Sequence, residues 1–495
     1  MVRRMRFARV RKTAGFTQES LAEVLEVDRS TVARWEAGHH EPWPYLRPKL
    51  ARLLKVSAEE LNELLWSTPS VHVDGVVSAV QAEPDDSVSA QAGLLLPVVI
   101  DGHPTFLRLD TSALIEQRGW ASMDGSLHYV GRLDSTLQAI VGLSGGDLRR
   151  RDVLPGVVFT AAAFAEPALF ALTAPPVSDV SRQAGSRRIG MTDVKILSDS
   201  VAHLRQMDFR YGSRQLRNAA VRLLHQSATT LLHSSYSDLT GRALLTVVAQ
   251  AARLAASMAA DTSRHALAQR YYIQALDLAI KAGDRLFAAN MLSDMSRLTI
   301  QNATGQRCAH QALALARAGM RVGGKATPTL AAQLSAVEAR AHALCGDTSA
   351  ARSAVLKAER HYERFRPDGE PAWLGFYTEA ELAADLGRAL RDSAEPTHAA
   401  QLMTRTLGGY EPWRVRSRCF VQTDLAAAYL IGGDHEHAAA LTRDALSTAI
   451  QVSSSRTVSR IRALRQQIRQ LRCADLAELD EEITGFLRSH GKRAS

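Results

Sequence analysis

The feature that most restricts this chain is a recurring dipeptide, glycine then aspartate, set between long alanine-rich segments. Gly283-Asp284, Gly346-Asp347 and Gly433-Asp434 each close one amphipathic stretch and open another. Glycine just past a helix end takes the left-handed backbone that stops the helix, and aspartate at the next N-cap accepts from the free N–H groups of the helix that follows. The dipeptide therefore spells a tight helix-to-helix turn. Stacked helical hairpins accommodate several such turns in one chain. Other breakers (Gly212, Ser237-Asp238, Gly323-Gly324, Pro367-Asp368-Gly369 and Gly408-Gly409) divide residues 191–490 in the same manner. Two stretches, Glu338–Ala351 and Asp424–Ala439, also resemble each other directly, each a small-residue helix running through Gly-Asp into a second helix.

Composition agrees with a mainly α chain. Of 495 residues 46% are hydrophobic and only 6% aromatic, with alanine abundant. Alanine is the best helix former, whereas strands draw on aromatic and β-branched residues. At roughly 150 residues per domain the length suggests about three domains or one long array. The formal charge of +9 permits a polyanionic partner but does not name one. The basic residues are 52 Arg against 8 Lys, a bias that reads as GC-rich coding rather than as a binding signal. The cysteines at 308, 345, 419 and 473 have no CxxC spacing and read as free thiols in a reducing cytoplasm. Arginines at 3, 4, 6, 9 and 11 interrupt every turn of the N-terminal segment, so no secretory leader is expected there.

The first sixty-six residues carry the densest signal. Leu21, Ala22, Leu25, Val32 and Trp35 fall at helical spacing on either side of a short gap, giving two short helices joined by a turn. Asp28 suits the cap of the second and Gly38 its end. A basic helix over 3–13 precedes the pair, with Met5, Phe7 (or Ala8) and Val10 available to a core. Two more short helices, Pro48–Leu54 and Ser57–Leu65, follow. Residues 1–18 hold six basic groups and no acidic one, a patch suited to phosphates.

The run Thr17-Gln18-x-x-Leu21-Ala22, then Val27-x-Arg29-Ser30-Thr31-Val32-x-Arg34-Trp35-Glu36-x-Gly38, resembles the Cro/repressor-type (XRE) helix-turn-helix family. That resemblance implies a five-helix bundle over 1–66 whose second motif helix enters the major groove of double-stranded DNA. It places Arg29, Ser30 and Arg34 on the base-facing side, where arginine donates to guanine O6 and N7. It places Gln18 and Thr31, with Arg3, Arg4 and Arg6 of the basic arm, at phosphates. It makes Arg11 and Glu36 a structural pair and Leu21, Ala22, Val32 and Trp35 the core. The usual turn glycine is replaced by Glu26, which suggests an altered turn. His39-His40 reads as a solvated loop. The family's two-fold operators imply a homodimer.

Residues 67–93 read as a linker, and residues 67–130 carry a net charge of −6, unsuited to lying on DNA. In the connecting region 94–190, Leu94–Ile100 and Thr105–Leu109 flank Asp101-Gly102-His103-Pro104, a hairpin signal, and a helix is expected over Thr111–Gln117. The arrangement Gly142-x-Ser144-x-Gly146 imitates a nucleophile elbow but lies in helical surroundings. Arg149-Arg150-Arg151 before the apolar run Val153–Ala174 imitates a membrane signal. Pro155, Glu166 and Pro167 interrupt that run, so burial against the helical array is expected instead and no membrane partner.

The hairpins of 191–490 resemble tetratricopeptide (TPR) repeats, with longer spacing. The whole resembles actinobacterial XRE regulators with TPR-like C-termini, and also peptide-sensing Gram-positive regulators. That resemblance implies a concave surface for a peptide, small molecule or protein partner. Asn290, Asp294 and Arg297 share one helix face there and are the candidate ligand contacts, although a solvated face fits them better. Gly319 through Lys325 nearly spells a phosphate loop but has Ala326 in place of the Mg²⁺-binding hydroxyl. His435 and His437 point apart on a helix, so no metal or other cofactor is expected. The arginines at 456, 460, 462, 465, 469 and 472 read as a solvated helix face. The sequence expectation is thus a cytoplasmic, nucleoid-associated transcriptional regulator that is not an enzyme. The alternative is a TPR adaptor with weak DNA tethering.

Overall fold

The computed structural model describes residues 5–25, 27, 29–36, 42, 47–57, 60–61, 94–100, 103–109, 133–149, 159–175, 179–183, 185, 187–302 and 306–494. The chain divides into two compact units, 1–111 and 112–495. The division falls inside the expected connecting region 94–190, so its first part goes with the N-terminal unit and the remainder with the helical array.

In the N-terminal unit, α1 (Met5–Thr13), α2 (Gln18–Leu25), α3 (Arg29–Glu36) and α4 (Arg47–Leu54) are short helices. Each contributes to one core: Phe7 from α1, Leu21, Ala22 and Leu25 from α2, Val32 and Trp35 from α3, Leu50, Ala51 and Leu54 from α4. A reciprocal cap follows α4, where the Ser57 N–H donates to Glu60 Oε2 at 2.8 Å and the Glu60 N–H to Ser57 Oγ at 3.0 Å. Leu61, next in sequence, is buried in the same core. The hairpin is present as β1 (Leu94–Ile100) and β2 (His103–Leu109), antiparallel with Ile100 opposite His103. The second strand starts earlier than the sequence suggests, leaving the two residues Asp101 and Gly102 between strands. The expected helix over Thr111–Gln117, the residue Glu26 and the His39-His40 pair lie outside the described residues.

Among its described residues, the second unit is helical apart from a two-residue parallel pairing of β3 (Arg187–Arg188) with β4 (Ser234–Ser235) and a single bridge between Arg182 and Tyr236. Two early helices, α5 (Leu133–Leu148) and α6 (Ala165–Thr173), pack on the outside of the array. Thr136 of α5 donates to Asp277 at 2.6 Å, and Asp147 at its other end accepts from Arg217 at 2.6 Å and from the Tyr271 hydroxyl at 3.0 Å. The described part of the apolar run, from Phe159, is therefore a packed 3-10 turn and helix, with Phe164, Ala168 and Ala171 buried. Ser144 sits in mid-helix on α5 and donates to the Ile140 carbonyl at 2.6 Å, so its glycine neighbours form no elbow.

The array proper pairs inner and outer helices. The first pair is α7 (Met191–Tyr211) with α8 (Ser213–His233). It is followed by α9 (Asp238–Asp261) with α10 (His265–Ala282), α11 (Arg285–Gln301) with α12 (Gln306–Gly323), and α13 (Pro328–Leu344) with α14 (Thr348–Tyr362). The last three are α15 (Glu379–Asp392) with α16 (Pro396–Gly408), α17 (Val415–Gly432) with α18 (His435–Ala449), and α19 (Ser455–Leu471) with α20 (Ala477–Ala494). The glycine–aspartate turns are as the sequence requires. Gly283, Gly346 and Gly433 have φ of +76°, +83° and +81°. Asp284, Asp347 and Asp434 accept from the N–H groups of Phe287, Ala350 and His437. Gly319 lies inside α12, where a Cβ would meet Leu334 at 2.6 Å, so the phosphate-loop imitation is a helix–helix seam. Helix α9 is long and apolar enough to cross a membrane by length and composition; here it is mostly buried at the centre of the array.

The inner helices do not form the open concave groove that the resemblance suggests. They curl until α17 packs on α7 and α19 on α9. Charged and polar contacts lock this closure. Arg416 of α17 reaches Asp208 of α7 at 2.6 Å, Asp208 accepts from Ser213 at 2.6 Å, and Ser454 donates to Asp261 at 2.7 Å. Gly212 is required at the seam. Its φ is +85° and a Cβ there would fall 2.5 Å from the Ser453 carbonyl oxygen, while Ser453 N–H donates to the Tyr211 carbonyl at 3.0 Å.

Candidate nucleic-acid interface and central cavity

Two sites stand out, one in each unit. In the first, Arg11 and Glu36 form the expected pair, Arg11 Nε to Glu36 Oε1 at 2.6 Å, and Arg11 also donates to the Phe16 carbonyl at 2.5 Å. Glu36 is shared: Gln18 Nε2 donates to its second oxygen at 2.5 Å. One carboxylate thus ties α1, the start of α2 and the end of α3 into a fixed angle. Gln18, expected at a phosphate, has its amide nitrogen engaged internally by Glu36. Trp35 is 1% exposed and belongs to the core, as do Leu21, Ala22 and Val32. Arg29 opens α3 with its side chain 65% exposed, held loosely by Glu19 at 3.0 Å. Thr31 is half-buried on the same helix. The side chains of Ser30, Arg34 and Arg6, and residues Arg3 and Arg4 altogether, lie outside the described residues.

The geometry is that of a short, exposed, arginine-led helix propped on a rigid neighbour. Residues 7–61 match the Helix-turn-helix family. This part of the chain is an XRE-type helix-turn-helix domain. A search of curated proteins returns no match. The helix-turn-helix match indicates a DNA-binding transcription regulator.

The second site is a cavity of about 190 Å³ on the axis of the array. Every inner helix sends an arginine to it: Arg205 from α7, Arg253 from α9, Arg297 from α11, Arg340 from α13, Arg388 from α15, Arg416 from α17, and Arg456 with Arg460 from α19. Phe209, Phe376 and Phe420 lie among them. The guanidinium groups stack over these rings, Arg253 over Phe376 at 4.7 Å and Arg460 and Arg456 over Phe420 at 4.5 and 4.9 Å.

Most of these arginines have carboxylate partners. Arg253 pairs with Asp294 at 2.6 Å, Arg297 with Asp385 at 2.5 Å and Arg340 with Asp392 at 3.0 Å. Asp424 gathers Arg388, Arg391 and Arg460 at 2.7, 2.6 and 2.7 Å. Arg414, just behind the wall, pairs with Glu381 and Glu411. Burial raises the Asp385 pKa, but Arg297 and Arg388 outweigh it and hold the carboxyl down at about 2. Two arginines have no carboxylate within 4.0 Å among the described residues. Arg205 donates to the Trp373 carbonyl at 2.9 Å, and Arg456 lies over the Phe420 face, with Asp261 acting on it from farther away. Burial, with Arg253 and Arg414 nearby, pushes Arg205 down to about 10. Burial does the same to Arg456, where Arg460 and Arg416 add to it and Asp261 opposes.

The candidate ligand face from sequence is rearranged. Asn290 is fully buried and does not line the cavity; its amide nitrogen and oxygen find no protein partner. Asp294 and Arg297 do line it, each paired, so none of the three is a solvated face. The arginine-rich final segment is likewise split. Arg456 and Arg460 turn inward and Arg465 pairs with Asp480 at 2.7 Å, while Arg462, Arg469 and Arg472 are exposed. The axial arginines were nonetheless written in the chain. A small residue, arginine, then leucine or alanine recurs as Ala252-Arg253-Leu254, Ser296-Arg297-Leu298, Ala339-Arg340-Ala341 and Gly387-Arg388-Ala389. Each sits on an inner helix. Among the described residues no group of three or more metal-ligating side chains occurs.

Proposed function

We propose that this protein is a sequence-specific, homodimeric transcriptional regulator that reads double-stranded DNA with α3, and that its helical array holds an effector. The carrying observation is the exposed Arg29 at the head of a helix whose opposite face is locked by Trp35, Arg11 and Glu36. A base-reading arginine needs a free guanidinium on a rigid mount, because each bidentate guanine contact discriminates only by about 1–3 kcal/mol. Arg34 and Ser30, on the same helix by sequence, complete the reading face, with Gln18, Thr31 and the basic arm on phosphates. Two copies related by a two-fold axis match half-sites about one helical turn apart. The array acts by binding rather than catalysis, in the cytoplasm, and an effector acts on it by biasing its closure.

Selection of bound duplexes from a random pool tests the reading, with an Arg29→Ala/Arg34→Ala variant alongside. The expected product is a two-fold-related motif that the variant does not enrich. No enrichment, with binding that only fades as salt rises, would mean phosphate contact without readout and would favour the adaptor role.

A further inference from the structure

We propose that the axial cavity is a binding site for a small organic dianion, a dicarboxylate or a phosphate monoester, taken between Arg205 of α7 and Arg456 of α19. The inference names the effector class for the regulator reading above and rests on it for its biological meaning, but the site itself rests on the cavity alone.

Charge supplies the first argument. Around the axis most carboxylates are taken by other arginines, and Asp424 alone serves three of them. Arg205 and Arg456 are left over, both lining the same cavity. An unpaired guanidinium drawn away from bulk water is costly, and a protein relieves that cost by supplying a carboxylate. At eight of the ten arginine positions this chain does so; at these two it leaves a place for an anion from outside. Two guanidinium groups without a carboxylate at ion-pair distance suit a ligand with two negative charges.

Chemistry and size narrow the ligand. Guanidinium forks match carboxylate and phosphate oxygens, and the planes here are preset, Arg456 lying on Phe420 and Arg205 tied to the Trp373 carbonyl. Between the charged groups, Leu254, Leu298, Ile300, Ala336 and Val337 add apolar wall that suits a carbon skeleton rather than a bare inorganic ion. A cavity of about 150 Å³ holds benzene. The volume of about 190 Å³ here therefore takes a small molecule of roughly that size with its acidic groups, not an extended peptide.

Placement gives the site a consequence. Arg205 stands on the first inner helix and Arg456 on the last, where the array closes on itself. A dianion held by both would connect the first inner helix to the last. Ligand and closure are then linked, since whatever binds only the closed array stabilises it by mass action.

The test is calorimetric titration and thermal melting of the full chain without DNA, at fixed ionic strength. The probes are succinate, glutarate, glycerol 3-phosphate and phenyl phosphate, with inorganic phosphate, glucose and a hexapeptide as comparisons. Saturable binding of at least one organic dianion with a raised melting temperature is expected. Arg205→Gln and Arg456→Gln should each weaken it tenfold or more, and the exposed Arg462→Gln should leave it unchanged. Which probes bind tells carboxylate from phosphate. The proposal is overturned if no organic dianion binds at millimolar concentration, or if inorganic phosphate binds as well as they do. It is also overturned if the peptide alone binds, or if both cavity variants bind like wild type. Should the dianion bind while operator affinity stays constant, the site stands and the effector reading falls.

Discussion

Glu36 holds two donors at once, Arg11 and Gln18, and this sharing sets how the reading helix is mounted. Removing it leaves Arg11 buried with only the Phe16 carbonyl. Glu36→Ala is expected to destabilise the helix-turn-helix domain by about 3 kcal/mol, because stranding one member of a buried pair costs more than the pair contributes. Urea unfolding followed at Trp35 fluorescence measures it. Arg29→Ala should shift the same transition by less than about 0.5 kcal/mol, as an exposed side chain whose contact to Glu19 lies in water. A comparable loss for both would show that Arg29 is structural and not a reader. At this scale the core and the Arg11–Glu36 pair were legible from the motif, since residue type and spacing together specify them. The second bond to Glu36 was not. Gln18 has two equally good uses for its amide, and sequence does not rank them.

Individual helices were the most legible level, because glycine and aspartate act locally. Gly433 has left-handed φ and open space around its Cβ position. Gly433→Ala is therefore expected to cost only the strain of that conformation, about 1 kcal/mol. Asp434→Ala is expected to lose about 1 kcal/mol through the cap on His437 N–H. Gly212→Ala has the same φ penalty but also drives a methyl into the Ser453 backbone. It should cost clearly more than Gly433→Ala and increase hydrogen exchange at the start of α19, which the other two leave protected. Equal effects at Gly212 and Gly433 would show that the seam is not under that constraint. The amphipathic pattern, however, misled on faces. Arg456 and Arg460 resemble a solvated stripe because the apolar period says only which side of α19 is greasy. It does not say that the next helix around would bring Asp424 to that stripe.

The closed array itself was the least legible, and for a physical reason. Its closure joins residues far apart in the chain, Asp208 to Arg416 and Asp261 to Ser454, and no local pattern predicts which ends of a repeat array will meet. Such a molecule should be acid-sensitive. Asp385 has a folded pKa near 2 against about 3.9 in an unfolded chain, so its stabilising contribution is complete above the higher value and lost as pH falls through the lower. Asp392 and Asp424 are lowered too, each by its arginine partners against the opposing effect of burial. Denaturant midpoints for the array should therefore fall steeply between pH 4 and pH 2, by an amount on the order of 2 kcal/mol for Asp385 alone. A flat profile there would mean the axial pairs contribute nothing. The whole account, however, depends on α3 reading sequence. The most direct measurement compares affinity for the selected operator with that for a scrambled duplex of equal length, at physiological salt, for wild type and Arg29→Ala. Wild type should prefer the operator by about a thousandfold or more, and Arg29→Ala should lose about five- to 150-fold of that preference while binding the scrambled duplex nearly as before. Equal affinity of wild type for both duplexes would contradict it.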